Sequence, residues 1–408
     1  MRIAASGFVS EQAGSVASAN AILLRGLLDS GHEVDFYSKS SFVDPRPAVG
    51  ERKGFRFIET DNVFEDRLRR KTQRIPLFGF FAVRFDCMSY DRLLQRLITD
   101  ENRLKKYDVV LWLGEFVPMR IRGPRMVSFA QGPPGTDARS IVSRFQEIKH
   151  FDGTLTAIKW MALAKLRLSW LGRPRFEHSD VVIVGSEQSR TTLQNQYTVP
   201  KSKTAALPYP IDLQLFSPQS LKRERNSSLR VLWLGRIIPR KRLDLFLSGL
   251  KLAIENGADV RATIVGDIGF IRGYDQMIQD FEFSDRVNWI RNVPREDIPD
   301  LMCQHDLLAQ PSDEENFGSS VAEALACGIP AIVGASNGTG DYICGRSIRL
   351  IDDRPETMAA AITSMADAKK RGDLIDPEPS RSVAKTHFDP ETVTDRLESV
   401  LRLAVNGN

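Results

Sequence analysis

A chain of 408 residues, 42% hydrophobic and 26% charged, is too long for one hydrophobic core and too apolar to be disordered, so two domains are expected. The formal net charge of +4 hides an asymmetry, because residues 1–200 carry 30 Lys+Arg against 22 Asp+Glu and residues 201–408 carry 26 against 30. A basic half can favour an anionic partner, either a nucleic acid or an acidic membrane surface, but the surplus is small and the interleaved aromatic residues of a strand-binding groove are absent.

The chain opens with "RIAAS", a short apolar run that reads as a strand, followed by "GFVSEQAGSV", where Glu11 and small polar residues break the apolar core a signal peptide needs. Helical spacing follows, then a second strand, "EVDFY". The segment at 67–85, "RLRRKTQRIPLFGFFAVRF", is basic and apolar together. Three more strands, "DVVLWL", "RMVSFA" and "DVVIVG", precede residue 190. Between the last two lies "IKWMALAKLRLSWLGRPRF" at 158–176. It admits two readings: an amphipathic helix on anionic lipid with Lys159, Lys165 and Arg167 at its edge, or a packed interdomain helix with snorkelling cations.

Four prolines, Pro200, Pro208, Pro210 and Pro218, and a charged Ser-rich stretch mark a hinge near 200–228. A second series of strands follows: "LRVLWLG", "VRATIVG", "RVNWI", "DLLAQ" and "PAIVG". Runs this short and this apolar fit strands buried on both faces, and their alternation with helical segments implies two doubly wound parallel sheets. A last amphipathic helix begins near Glu391. Nowhere do about 18 apolar residues run together, which predicts a soluble or peripheral, cytoplasmic protein. Cys87, Cys303, Cys327 and Cys344 show neither disulfide nor metal spacing and fit buried thiols in a reducing compartment.

Two loops at strand ends carry the chemistry. In "LGRIIPRKRLDLF", Gly235 permits a tight turn, and Arg236 and Lys241 bring two cations to the carboxyl end of a sheet, a seat for a diphosphate; the alternative is a solvated basic turn with Arg240 and Arg242 as neighbours. In "QPSDEENFGSSVAEAL" a strand ends at Gln310 and a helix starts near Gly318, whose first amides at Gly318, Ser319 and Ser320 can receive phosphate oxygens. Glu315 and Glu323 stand eight positions apart. On a helix that is about 12 Å, beyond the separation of a glycosidase acid–base pair, so the two carboxylates have separate tasks.

"PSDEENFGSSVAEALACGIPAIV" resembles the donor-site signature of retaining glycosyltransferases of the GT-B fold, glycosyltransferase family 4. Pro311, Ser312, Glu315, Phe317, Gly318, Glu323, Ala324, Ala326, Gly328 and Pro330 fall on that pattern. The loop from Gly235 to Lys241 is similar to the family's phosphate-binding element, and "SDVVIVGSEQSRTTLQNQY" and "LPYPIDLQLF" resemble the passage between its two domains. The resemblance covers residues 170–400 well and the first 170 loosely. It implies two Rossmann-like domains facing a cleft: an acceptor-binding domain at 1–205, a nucleotide-sugar domain at 206–385, and a helix at 386–408 packing back on the first.

The family's roles, carried to matching positions, make Glu315, Arg236 and Lys241 catalytic. Glu315 faces the donor sugar, and Arg236 and Lys241 neutralise the diphosphate leaving group. Glu323 holds the ribose, Asn292 and Val293 meet the nucleobase through their backbone, and Gly14, Phe317, Gly318 and Ser319 complete donor binding. Glu314, off the pattern, reads as a surface carboxylate. Gln131 stands where the family commonly has a histidine. It can exchange hydrogen bonds with an acceptor but cannot carry a proton, which suits a mechanism in which the departing phosphate takes the acceptor's proton. No Asp-x-Asp motif or metal-spaced histidine occurs, so neither a metal nor another cofactor is expected. The resemblance implies hexosyl transfer from a nucleotide-diphosphate sugar to a carbohydrate or lipid-linked acceptor in glycan, polysaccharide or glycolipid synthesis, with peripheral membrane contact and no nucleic-acid partner. The alternatives are a catalytically silent sugar-nucleotide or nucleic-acid binding protein, or a nucleotide-sugar epimerase of the same fold.

Overall fold

The computed structural model describes residues 1–10, 14–38, 44–60, 92–114, 120–131, 135–169, 175–218, 228–343 and 345–407. They form two compact units, one made of Met1–Gly135, Lys165–Pro210 and Pro390–Asn408, the other of Thr136–Ala164 and Ile211–Asp389. The basic segment at 67–85, Cys87 and Cys344 lie outside the described residues.

The first unit is built on a seven-stranded parallel sheet in the order β3-β2-β1-β4-β5-β6-β7. Its strands are β1 Arg2–Gly7, β2 Glu33–Ser38, β3 Phe55–Glu59, β4 Val109–Leu113, β5 Arg125–Phe129, β6 Val181–Val184 and β7 Thr204–Ala206. Every residue of β4 is buried, which is why "VVLWL" shows no alternation: a central strand covered on both faces has no solvent side. Helix α1, Gly14–Asp29, connects β1 to β2.

The second unit begins with α2 Thr136–Ser143, α3 Phe145–Asp152 and α4 Thr154–Leu168, the unit boundary falling inside α4. This differs from the expected 1–205 domain, because side chains of 136–164 bond to this unit. Asp152 accepts from the backbone N–H groups of Arg272 and Gly273 at 3.1 and 2.6 Å, the Tyr274 hydroxyl donates to Glu147 at 2.7 Å, and the Trp160 ring packs tilted against Phe270 with centroids 4.6 Å apart. No strand pattern in the sequence could have placed these helices, since they add to no ladder.

Its six-stranded parallel sheet runs β10-β9-β8-β11-β12-β13, with β8 Leu229–Leu234, β9 Val260–Val265, β10 Val287–Ile290, β11 Leu307–Gln310, β12 Ala331–Val333 and β13 Ile348–Arg349. Helix α5, Leu243–Glu255, follows β8, and α6, Ser319–Ala326, follows β11; α7 Pro355–Arg371 and α8 Glu378–His387 come after the sheet. The chain then rejoins the first unit with α9, Pro390–Asn406. Val393, Leu397, Leu401 and Ala404 are the buried stripe of α9, and three large aliphatic side chains so placed stabilise the seat by about 1.5–3 kcal/mol each. Gly26 of α1 makes the approach possible: a Cβ there would lie 2.4 Å from Thr394 Oγ1. Among the described residues no helix is long and apolar enough to cross a membrane.

Candidate functional site

In the second sheet the strand order reverses between β8 and β11, and the carboxyl ends of such a pair form the crevice where doubly wound sheets take ligands. Both loops flagged in the sequence start there. After β8 and Gly235, a single 3-10 turn, Pro239–Lys241, leads into α5, and the Lys241 stem runs back beside Gly235. Glu315, five residues beyond β11, meets it. Its Oε2 accepts from Arg240 Nη1 and from Lys241 Nζ, both at 2.7 Å. Arg240 Nε in turn donates to Asp137 Oδ1 of α2 at 2.6 Å.

Burial alone would raise the Glu315 carboxyl, but the charges of Arg240 and Lys241 outweigh it and hold it at about 2. Burial lowers the Lys241 ammonium, with Glu315 opposing the shift and Arg240 reinforcing it. At neutral pH Glu315 is therefore an ionised carboxylate, held between two buried basic side chains.

Arg236 does not join it. The side chain is 71% exposed and its Nη2 is 3.9 Å from Asp137 Oδ2. The solvated-turn reading of Arg240 and Arg242 is corrected: both are buried, and Arg242 pairs with Asp244, Asp313 and Asp353. Four cations crowd "GRIIPRKR", and the carboxylates that select which ones turn inward come from distant segments. Sequence reasoning thus missed Arg240. Glu314, expected at the surface, is half-buried, has φ +42°, and accepts from Arg139 Nε at 2.6 Å.

Helix α6 starts from Gly318, at φ +80° and ψ +60°, with no side chain capping its first turn. A Cβ at Gly318 would stand 2.7 Å from Oδ1 of the buried Asn337, so conformation and space both require glycine. The uncapped first turn, with Ser319 buried at its head, is suited to an anion. Phe317 serves packing: its ring is 1% exposed and stands edge-on to Phe388 at 5.2 Å. A contact from this residue to a ligand would run through its backbone. At the end of β11, Gln310 Oε1 and Ser312 Oγ are buried without a partner among the described residues, a polar deficit that a ligand can fill.

Glu323, on α6, is 3% exposed; burial raises its carboxyl, and Arg295, donating from Nη2 to Oε1 at 2.9 Å, opposes the shift. The two glutamates thus have different partners. Asn292, exposed, and Val293, half-buried, follow edge strand β10.

Two predicted residues belong to the first unit. Gly14 is exposed at the start of α1, and Gln131 follows β5. The Gln131 amide exchanges hydrogen bonds with Asn20 of α1: Asn20 Nδ2 donates to Oε1 at 3.3 Å, and Gln131 Nε2 donates back to Oδ1. Asn20 is fully buried and also donates to the Phe8 carbonyl at 2.8 Å. The signal that could have found it is a lone amide inside the apolar run "ANAILL". Among the described residues no group of three or more His, Cys, Asp or Glu side chains is arranged to hold a metal ion.

The profile of the family described as glycosyl transferases group 1 matches residues 219–377. The chain is 25% identical over 289 residues to a GDP-mannose-dependent alpha-(1-6)-phosphatidylinositol monomannoside mannosyltransferase of Mycolicibacterium smegmatis, covering 67% of this chain and 69% of that protein. It is 25% identical over 287 residues to a D-inositol 3-phosphate glycosyltransferase of Mycobacterium marinum, covering 63% and 58%. Among solved structures, sucrose-phosphate synthase from Thermosynechococcus elongatus superposes with a TM-score of 0.68 at 15% identity over the whole of both chains. Anabaena HepE in complex with UDP superposes with a TM-score of 0.64 at 16% identity, over 98% of this chain and 100% of that one. The matched residues fall within the unit whose switch point gathers Glu315, Lys241 and Arg240, so residues 219–377 match the glycosyl transferases group 1 family and the chain has the GT-B fold of these glycosyltransferase structures.

Proposed function

We propose that this glycosyltransferase moves a hexosyl group from a nucleotide-diphosphate sugar to a hydroxyl of a carbohydrate or lipid-linked acceptor, with retention of configuration and without a metal ion, in glycan, polysaccharide or glycolipid synthesis. The observation that carries the reading is the Glu315–Lys241–Arg240 cluster at the switch point, beside the uncapped start of α6. Charge grows on the diphosphate as the glycosidic bond breaks. Lys241 and Arg240, with exposed Arg236 at the rim, supply the fixed positive charge that answers it, the task a divalent ion has in other designs. Glu315, ionised at neutral pH, accepts hydrogen bonds from the sugar hydroxyls. Glu323 takes the ribose and the backbone after β10 takes the base. Gln131, clamped by Asn20, orients the acceptor hydroxyl, and the acceptor's proton goes to the leaving phosphate oxygen.

The donor base is open between the GDP of the mannosyltransferase relative and the UDP bound to the HepE structure. Thermal melting with UDP-, GDP- and ADP-sugars tests this, since a ligand at 100 times its dissociation constant adds about 2.7 kcal/mol. One donor should raise the melting temperature, and NMR of the product should give the same anomeric configuration as the donor. No shift with any nucleotide sugar overturns the donor-site reading, and an inverted product overturns retention alone.

Peripheral membrane contact is also proposed, on helix α4. Its buried side is Ala157 and Ala164, while its outer face carries Leu155, 85% exposed, Ile158, 52% exposed, and the cations Lys159 and Lys165. The helix has no acidic residue, so an apolar face edged by lysines meets an anionic headgroup layer without repulsion. The phosphatidylinositol named in the mannosyltransferase relative's acceptor is consistent with such a surface. Flotation with anionic vesicles should carry the wild type upward and leave a Leu155→Glu, Ile158→Glu variant below. Wild-type protein that stays at the bottom refutes the contact.

A further inference from the structure

Glu323 sits in a setting that the ribose assignment does not account for by itself. A carboxylate 3% exposed on a short helix needs a counter-charge to stay ionised, and burial raises this one. Arg295 provides the charge: Nη2 donates to Glu323 Oε1 at 2.9 Å. The arginine arises from the 3-10 turn Arg295–Asp297, directly after Asn292, Val293 and Pro294, the stretch read as the base contact. Its guanidinium also lies over the ring of the fully buried Phe216, 5.3 Å from the centroid, which fixes its plane. One side chain therefore ties the segment that meets the base to the carboxylate that meets the ribose.

We propose that Arg295 is the positioning residue that keeps Glu323 ionised and turned toward the 2′- and 3′-hydroxyls of a nucleoside diphosphate, Arg295 holding Oε1 and the ribose taking Oε2. The inference rests on the donor-site reading above and names the residue that makes its ribose subsite selective for hydroxylated sugars. A neutral carboxyl accepts hydrogen bonds far less well than a carboxylate, so without Arg295 the hydroxyls lose their strongest partner while the diphosphate seat at Lys241 stays intact.

Calorimetric titration with UDP and GDP, and with the 2′,3′-dideoxy counterpart of whichever binds, tests this on the wild type, Arg295→Gln and Arg295→Lys. Wild-type protein should bind the ribonucleotide about 10- to 100-fold more tightly than its dideoxy analogue, the range expected for hydrogen bonds to a charged group. In Arg295→Gln that gap should shrink to within about threefold, and ribonucleotide affinity should recover as pH rises and Glu323 ionises. Arg295→Lys should retain part of the gap. In turnover assays Arg295→Gln should raise the donor KM while kcat at saturating donor holds, a split that general misfolding would not produce. Melting curves identify any variant that fails to fold, and Arg295→Lys then decides alone.

If Arg295→Gln keeps the full gap and the wild-type pH profile, the positioning role is wrong. If the wild type binds a nucleotide but does not distinguish the dideoxy analogue, Glu323 is not the ribose contact; the proposal falls while the donor site stands. If the wild type binds no nucleoside diphosphate, the donor-site reading itself fails and takes the proposal with it.

Discussion

Replacing Glu315 by Gln leaves the Arg240 guanidinium and the Lys241 ammonium buried beside a neutral amide. The folded-state carboxyl lies at about 2 against an ordinary 4.5, and a shift of that size corresponds to about 3 kcal/mol of stability at neutral pH. Because the folded value is the depressed one, this stabilisation is whole above pH 4.5 and is lost as pH falls toward 2. For a unit of this size each kcal/mol moves the melting temperature by about 2–4 °C, so Glu315→Gln should melt roughly 6–12 °C lower at pH 7. Asp137, 2.6 Å from Arg240, still neutralises one cation and favours the lower end. Melting curves of both proteins from pH 3 to pH 8 read the effect. The gap should be constant above pH 5 and narrow below pH 4. A variant that melts with the wild type at pH 7, or a gap unchanged down to pH 3, would refute the buried ion-pair account.

Lys241→Ala should lower turnover by about 10²–10³-fold, the usual effect of removing one preorganised donor to a developing anion, and unchanged kcat removes Lys241 from the leaving-group role. Gly318→Ala forces a left-handed conformation costing about 1–2 kcal/mol and presses a methyl onto Asn337 Oδ1, so it should lower the melting temperature and weaken nucleotide binding together; wild-type behaviour in both assays contradicts the assigned geometry. Dialysis against EDTA should leave turnover intact. Loss of activity that a divalent cation restores would overturn metal independence.

The ten strands were legible because each is a short, largely apolar run bounded by turn residues, and its length and β-branched or aromatic content favour strand over helix, even at β10, a half-buried edge strand. The three that were not are β3, β7 and β13. β3 lies at a sheet edge with no fully buried residue, and β7 and β13 are three and two residues long. At an edge one side of the ladder is open, so a strand needs no continuous apolar stretch and leaves no mark in composition.

By itself the sequence indicated two parallel α/β domains and the two strand-end loops that hold Lys241 and Glu315, because strand periodicity and glycine at a positive-φ helix start are local properties. The tertiary structure alone decided which charges face which. Arg240 rather than Arg236 joins Lys241 at Glu315, Arg295 joins Glu323, Asn20 clamps Gln131, and residues 136–164 bond to the second unit. Each of these is settled by desolvation: a buried charge or amide must find its partner, and that partner comes from whichever distant segment the fold brings within about 3 Å.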